Sequence, residues 1–342
     1  MLRCIELAKN GLETTAPNPM VGCVIIHDKN SIGEGYTSAY GGPHAEVNAI
    51  NSVKDKSLLS KSTLYVTLEP CAHFGKTPPC VNLILKHAIP KVVIGLKDPN
   101  TKVAGKSIKL LKDSGCKVIL GVLEDKVRKH HKRFLTFQEK KRPYIILKWA
   151  ETQDGFIAPK NKVRNKEPEP FWITNAYSKQ LVHKWRAQEQ SILVGTTTAL
   201  ADNPKLTTRN WKGRNPIRII IDKNLKIPAS YHVLDASIKT IIITRQIEKK
   251  NHKDGIIYEL ALFKNLPQEI CAILHKHNIN SVLIEGGTKT LQSFIDAKLW
   301  DEARIFKGDT SFLNGVLAPK IKGTKISEQK LLDDKLTILK ND

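Results

Sequence analysis

The sequence contains no run of 18 apolar residues, which excludes a membrane-spanning helix. Six cysteines in 342 residues are too few for a disulfide scaffold. Four of them, Cys4, Cys23, Cys116 and Cys271, lie in apolar runs and read as small buried hydrophobes. No internal repeat or low-complexity tract is visible. Acidic residues are scarce, 33 Asp+Glu against 55 Lys+Arg, so the formal net charge is +22. Such a balance suits nucleic acid or anionic small molecules. The lysines are scattered, however, and no basic arm with interleaved aromatics appears, so the charge reads first as a lysine-rich solvated surface, with phosphate-bearing substrates as the next alternative. The N-terminus, "MLRCIELAKNGLETTAPNP", lacks a long apolar stretch ending in small residues. It reads as an amphipathic helix of a mature cytoplasmic protein.

A hydrophobic content of 41% over this length is enough for two cores. Helical and strand patterns alternate through the first half: "RCIELAKNGL", "MVGCVIIHD", "SIGEGYTS", "HAEVNAINSV", "STLYVTLEP", "PPCVNLILKHAI", "KVVIGLKDPN", "GKSIKLLKDSG", "KVILGVL". Alternation of this kind predicts a sheet covered by helices. The charged segment 124–143 reads as a helix running out into a linker, with a domain boundary near residues 141–144. The alternation then restarts at "YIILKWAETQDG" and runs to "TKTLQSFIDAKLW". The expectation is two domains, 1–142 and 143–342.

Two stretches carry metal chemistry, "GGPHAEVNAI" and "LEPCAHFGKTPPC". One imidazole, His44, and two thiolates, Cys71 and Cys80, make the three-ligand set of a catalytic zinc whose fourth position is left for water. The metal brings the pKa of that water to around 7. Glu46, two residues after the histidine on the same first turn, is positioned to take a proton from the water and return it to a departing amine. The zinc-deaminase signature is His-x-Glu followed by Pro-Cys-x-x-Cys. The chain matches "HAE" and "PC" but separates the two cysteines by eight residues. On spacing alone, the alternative is a turn with incidental cysteines and a histidine at a helix start.

Together, "TAPNPMVGCVI", "GGPHAEVNAI" and "VTLEPCAHFGKTPPC" closely resemble the bifunctional riboflavin-biosynthesis deaminase–reductases, in which the longer cysteine loop is the normal form. The resemblance implies a cytidine-deaminase-like α/β/α first domain, with His44, Cys71 and Cys80 on zinc, Glu46 moving protons and Asn18 touching the pyrimidine. His73 and Lys76, in the inserted loop, are candidates for contacts to a ribose phosphate.

A lone deaminase needs only about the first 145 residues, so the remainder must carry its own core and site. "LIEGGTKTL" joins a strand, a glycine pair and a helix start, a geometry that accepts phosphate. It lacks the Gly-x-Gly-x-x-Gly pattern of a Rossmann fold. "TTTALADNPKLTTR" reads as a long polar loop, and arginine forks at Arg186 and Arg209 suit a phosphate monoester. The strings "LKWAETQDG", "WIT", "RAQ", "LADNPKLTTR", "PIRIIID" and "IEGG" extend the same family resemblance to about residue 320. It implies a dihydrofolate-reductase-like α/β second domain that uses NADPH. Implied cofactor contacts are Ala150, Trp172, Thr198, Asp202, Gly287, Thr288, Lys289, Thr290 and Leu291. Implied substrate contacts are Arg186, Leu206, Arg209 and Glu285, with Lys148 near the ring site. Pro170 stands where the family commonly has a small polar residue, and the connection after "ARIFKGDTSFLNG" is longer than the family pattern.

The function implied is zinc-dependent deamination of 2,5-diamino-6-ribosylamino-4(3H)-pyrimidinone 5′-phosphate, followed by NADPH-dependent reduction of its ribosyl group. The partners expected are that small phosphorylated pyrimidine and a second copy of the chain, with neither nucleic acid nor membrane. Two other readings compete. A nucleic-acid-editing deaminase shares the zinc logic but needs no second half of nearly 200 residues. A structural zinc module would close its tetrahedron with a fourth protein ligand, for which His73 is the candidate.

Overall fold

The computed structural model describes residues 1–72, 74, 78–99, 104–160, 168–246 and 253–342. They form two compact units, Met1–Lys140 and Lys141–Asp342.

The first unit runs α1 (Leu2–Ala8), β1 (Gly22–His27), β2 (Asn30–Tyr36), α2 (Ala45–Ser52), β3 (Thr63–Leu68), α3 (Cys80–Lys86), β4 (Lys91–Leu96), α4 (Lys106–Asp113), β5 (Lys117–Leu120), α5 (Glu124–His130) and α6 (Lys132–Lys140). Its sheet has the order β2-β1-β3-β4-β5. The β1–β2 hairpin turns through Asp28 and Lys29, both with positive φ, the backbone that a tight hairpin needs. β3, β4 and β5 are parallel because each connection crosses over through a helix. Alternate positions of β1 and β3, such as Cys23, Ile25, Leu64 and Val66, fill the core with Ala49 and Ile50 of α2. That packing requires Gly35: a Cβ there would sit 2.3 Å from the backbone nitrogen of Ala49.

The segment expected to run out into a linker is helical as far as Lys140, as α5 and α6 with a break at His131. Val127, Phe134 and Leu135 recur at helical spacing and are buried in the core of this unit. Charge on the opposite face hides that period, but three buried apolar side chains outweigh it.

The second unit runs β6 (Tyr144–Glu151), β7 (Phe156–Pro159), α7 (Ala176–Gln188), β8 (Ser191–Gly195), α8 (Thr196–Asp202), β9 (Ile217–Ile221), β10 (Thr240–Thr244), β11 (Ile256–Leu260), α9 (Leu266–Lys276), β12 (Ser281–Ile284), α10 (Thr288–Asp296), β13 (Glu302–Lys307), β14 (Gly315–Leu317), β15 (Thr324–Leu331) and β16 (Asp334–Lys340). Nine strands form one sheet in the order β11-β10-β9-β8-β12-β6-β13-β16-β15, and β14 pairs with β7 separately. The central strands are parallel and buried on both faces, which explains runs such as "IRIII" and "TIIIT". Arg218, inside such a run, is satisfied by the carbonyls of Lys205 and His232 and by Asp235.

Part of the expected polar loop is α8. Its threonines are poor helix formers, yet Ala199 is buried, and Asn203 takes the left-handed backbone that ends the helix before Pro204. The long connection after β13 holds β14, and the chain then closes with the antiparallel β15–β16 hairpin against β13.

Candidate functional site

In the first unit, His44 is the extended residue that caps α2, so its ring leaves the helix while Glu46 sits in the first turn. Asn48 pins this end of α2, donating to the Tyr36 carbonyl (2.7 Å) and to Ser38 Oγ (2.9 Å). Pro78 and Pro79 lead the chain into α3, whose first residue is Cys80. The backbone N–H of Cys80 donates to Cys71 Sγ at 3.2 Å, drawing the two cysteines together across the loop.

His44 Nδ1 then lies 3.5 Å from Cys71 Sγ and 3.3 Å from Cys80 Sγ. All three donor atoms fall within 4.8 Å of one another, and among the described residues this is the one group able to hold a metal. The donor set fits zinc: one imidazole nitrogen and two soft sulfurs converge on a common point. The proximity of the two thiols lowers that of Cys71 and raises that of Cys80. Glu46 is 4% exposed and lies within hydrogen-bonding reach of Cys80. Burial, with Cys71 adding, pushes its carboxyl up to about 7.

Asn18 is half-buried in the turn after Pro17, its N–H bonded to the Thr15 carbonyl at 2.9 Å. His73 and Lys76, and with them the fourth-ligand candidate, lie outside the described residues. A residue that the sequence reading missed is Glu69. It is buried, accepts the backbone N–H groups of Asp98 and Gly105 and the hydroxyl of Ser107, and so anchors the start of α4 to the end of β3. Its only sequence signal is its place beside Pro70 and Cys71.

In the second unit, one cavity of about 950 Å³ gathers nearly all the expected residues. Its wall includes Lys148 and Ala150 from β6, Arg186 from α7, Thr198 and Asp202 from α8, Leu206 and Arg209 beyond it, and Glu285, Gly287, Thr288, Lys289 and Thr290 around the start of α10. Trp172 also lines it, half exposed under the Lys179 ammonium, 4.0 Å from the ring centroid. Leu291 differs: its side chain is fully buried in the core, because it points from α10 toward the sheet. Pro170 is at the wall and offers no donor.

The centre of the cavity is an ion pair. Arg186 Nε and Nη2 donate to the two oxygens of Glu285 at 2.8 and 2.7 Å, and Nη1 donates to the Thr207 carbonyl at 3.1 Å. Although burial pushes the Glu285 carboxyl up, Arg186 and Lys148 bring it down to about 2. Burial lowers the Lys148 ammonium, with Glu285 opposing. Arg186, a substrate contact on the resemblance, stands at the cavity wall with its Nε and Nη2 edge on Glu285. Arg209 is the arginine at the wall without that engagement.

His183, one helical turn before Arg186, was not picked out from the sequence. It is 3% exposed and lines the cavity, and burial, with Arg186 and Arg209 adding, lowers its imidazole to about 4. Its sequence signal is the i, i+3 spacing that puts both side chains on one face of α7.

The residues lining the cavity, cationic and backbone N–H donors among them, are of the kind that holds phosphates. Cations rim it, and close to Gly287 a Cβ would stand 3.1 Å from Thr198 Oγ1, leaving backbone open where a side chain would intrude.

Two family profiles match the chain: "Cytidine and deoxycytidylate deaminase zinc-binding region" over residues 1–96, and "RibD C-terminal domain" over residues 143–310. The chain is similar to the riboflavin biosynthesis protein RibD of Aquifex aeolicus, 36% identical over 96% of this chain and 88% of that protein. It is 37% identical to RibD of Bacillus amyloliquefaciens, over 94% of this chain and 86% of that protein. Its fold resembles a crystal structure from Thermotoga maritima described as a diaminohydroxyphosphoribosylaminopyrimidine deaminase/5-amino-6-(5-phosphoribosylamino)uracil reductase. There the TM-score is 0.89 and the identity 36%, covering all of this chain and 97% of the other.

Proposed function

This chain belongs to the RibD family of bifunctional riboflavin-biosynthesis deaminase–reductases, and from that premise we propose which residues carry each step. The enzyme is a zinc-dependent deaminase with a cytidine-deaminase-like first domain and an NADPH-dependent reductase with a dihydrofolate-reductase-like second domain. We assign residues 1–142 to the first step and 143–342 to the second. The substrate is 2,5-diamino-6-ribosylamino-4(3H)-pyrimidinone 5′-phosphate, which loses its C2 amine and then has its ribosyl group reduced to the ribityl chain.

His44, Cys71 and Cys80 would hold the zinc. When bound, the metal supplies a Lewis acid that makes water nucleophilic at neutral pH. Glu46 moves the protons: its carboxylate takes one from the attacking water and delivers it to the departing amine nitrogen. Asn18 orients the pyrimidine. The observation that carries this half is the convergence of three donors with a buried carboxylate two residues from one of them.

In the second half, NADPH supplies a hydride for C1′ of the ribose. Ala150, Trp172, Thr198, Asp202, Gly287, Thr288, Lys289 and Thr290 would hold the cofactor. Arg186, Leu206, Arg209 and Glu285 would contact the substrate, Arg209 at its phosphate. The enzyme so read is a cytoplasmic homo-oligomer that takes no nucleic acid, since the cavity suits a cofactor and one small phosphate.

The test is Glu46→Gln, followed for ammonia and NADPH absorbance in one cuvette. Zinc content stays at the wild-type level, ammonia release falls by about 10²–10⁴-fold, and NADPH oxidation on deaminated substrate continues. Unchanged ammonia release removes Glu46 from the mechanism.

A further inference from the structure

Two adjacent histidines at the junction of α5 and α6 reach back across the first unit to the segment that follows Asn18. His130 Nε2 lies 2.8 Å from the Met20 carbonyl, a contact spanning 110 residues of chain. A carbonyl only accepts, so His130 carries its proton on Nε2 and donates it. Burial lowers the imidazole, with the Met20 hydrogen bond opposing and Lys9 and Arg133 adding.

His131 is fully buried, and its Nε2 lies 3.1 Å from Thr67 Oγ1. The same hydroxyl accepts the backbone N–H of Gly22 at 3.2 Å. The two histidine rings stack edge to face with centroids 4.8 Å apart. The chain entering β1 is thus gripped at both ends of a three-residue step. Met20 is held directly by His130, and Gly22 is held through Thr67 by His131.

Nothing in the deamination chemistry uses these histidines, and a buried imidazole with one unpartnered nitrogen, His131 Nδ1, is not a choice that stability alone favours. We propose that His130 is a positioning residue for deamination: through the Met20 carbonyl it fixes the turn that presents Asn18 to the pyrimidine. His131 and Thr67 brace the other side. On this account the segment 124–140 supports the turn through His130 and His131. The inference rests on the reading of Asn18 as the pyrimidine contact, and its test separates the two.

Ammonia release from the diaminopyrimidine phosphate is measured on the full chain for His130→Ala, His130→Gln and Asn18→Ala, with zinc content and NADPH oxidation read in parallel. Loss of one hydrogen bond that orders a binding turn raises KM by about three- to tenfold. His130→Ala does so with kcat within about twofold and with zinc content and reductase activity unchanged. His130→Gln, whose amide N–H reaches the same carbonyl, restores KM. A wild-type KM in His130→Ala while Asn18→Ala raises it overturns the inference. So does a His130→Gln enzyme as impaired as His130→Ala, which would assign the effect to ring packing. A raised KM in His130→Ala beside a wild-type KM in Asn18→Ala keeps the positioning role and removes Asn18 from the pyrimidine. Wild-type KM in both removes both.

Discussion

Replacing Arg186 with alanine strands the Glu285 carboxylate, and the size of the penalty follows from the geometry. The pair is bidentate, and the two side chains are only 12% and 9% exposed. Breaking a dry pair of this kind by deleting one partner costs about 3–5 kcal/mol. A second route uses protonation: holding a carboxyl at about 2 rather than 4.5 corresponds to roughly 3 kcal/mol of preference for the ionised form. Lys148 supplies part of that, and the cavity admits water to the stranded group. The expected loss is therefore about 2 kcal/mol at pH 7. All five tryptophans, Trp149, Trp172, Trp185, Trp211 and Trp300, lie in the second unit, so intrinsic fluorescence during urea unfolding of the full chain follows that unit.

The pH dependence has a definite sign. The carboxyl is lowered in the fold, so its stabilisation is complete above about 4.5 and disappears as pH falls toward 2. The gap between wild type and Arg186→Ala closes over that window. Arg186→Ala/Glu285→Gln loses less than the two single changes added together, since a neutral amide needs no counter-ion. A loss under about 0.5 kcal/mol at pH 7, or a gap that persists unchanged as pH falls well below 4.5, refutes the argument that a buried, mutually dependent ion pair organises the reductase cavity.

Cys80→Ala removes a proposed metal donor but keeps the backbone N–H that ties α3 to Cys71; zinc content by atomic absorption and ammonia release should both fall below detection, while NADPH oxidation on supplied deaminated substrate persists. Loss of both activities in folded protein would contradict the division of labour between the units. Gly287→Ala sets a methyl group 3.1 Å from Thr198 Oγ1 at the cavity wall. At about 1–2 kcal/mol of crowding, KM for NADPH should rise roughly five- to thirtyfold with deamination untouched, and an unaltered KM would move the cofactor away from the start of α10.

Much of this protein is determined by short-range pattern. His44 and Glu46 stand two apart at one helix start, and Cys71 and Cys80 are nine positions apart in one short stretch. Ile-rich runs announce strands buried on both faces. These features are local, so residue order alone expresses them. Other features exist only after folding. Arg186 meets Glu285 across 99 residues to make a bidentate pair at the cavity wall. Leu291 faces the core although its neighbours face the cavity, since one helix presents both sides to different surroundings. His130 meets Met20 across 110 residues, from a segment whose charge conceals its apolar stripe. The physical reason is the same in each case: a side chain's partner is chosen by the packing of sheets and helices, and spacing along the chain carries no record of that choice.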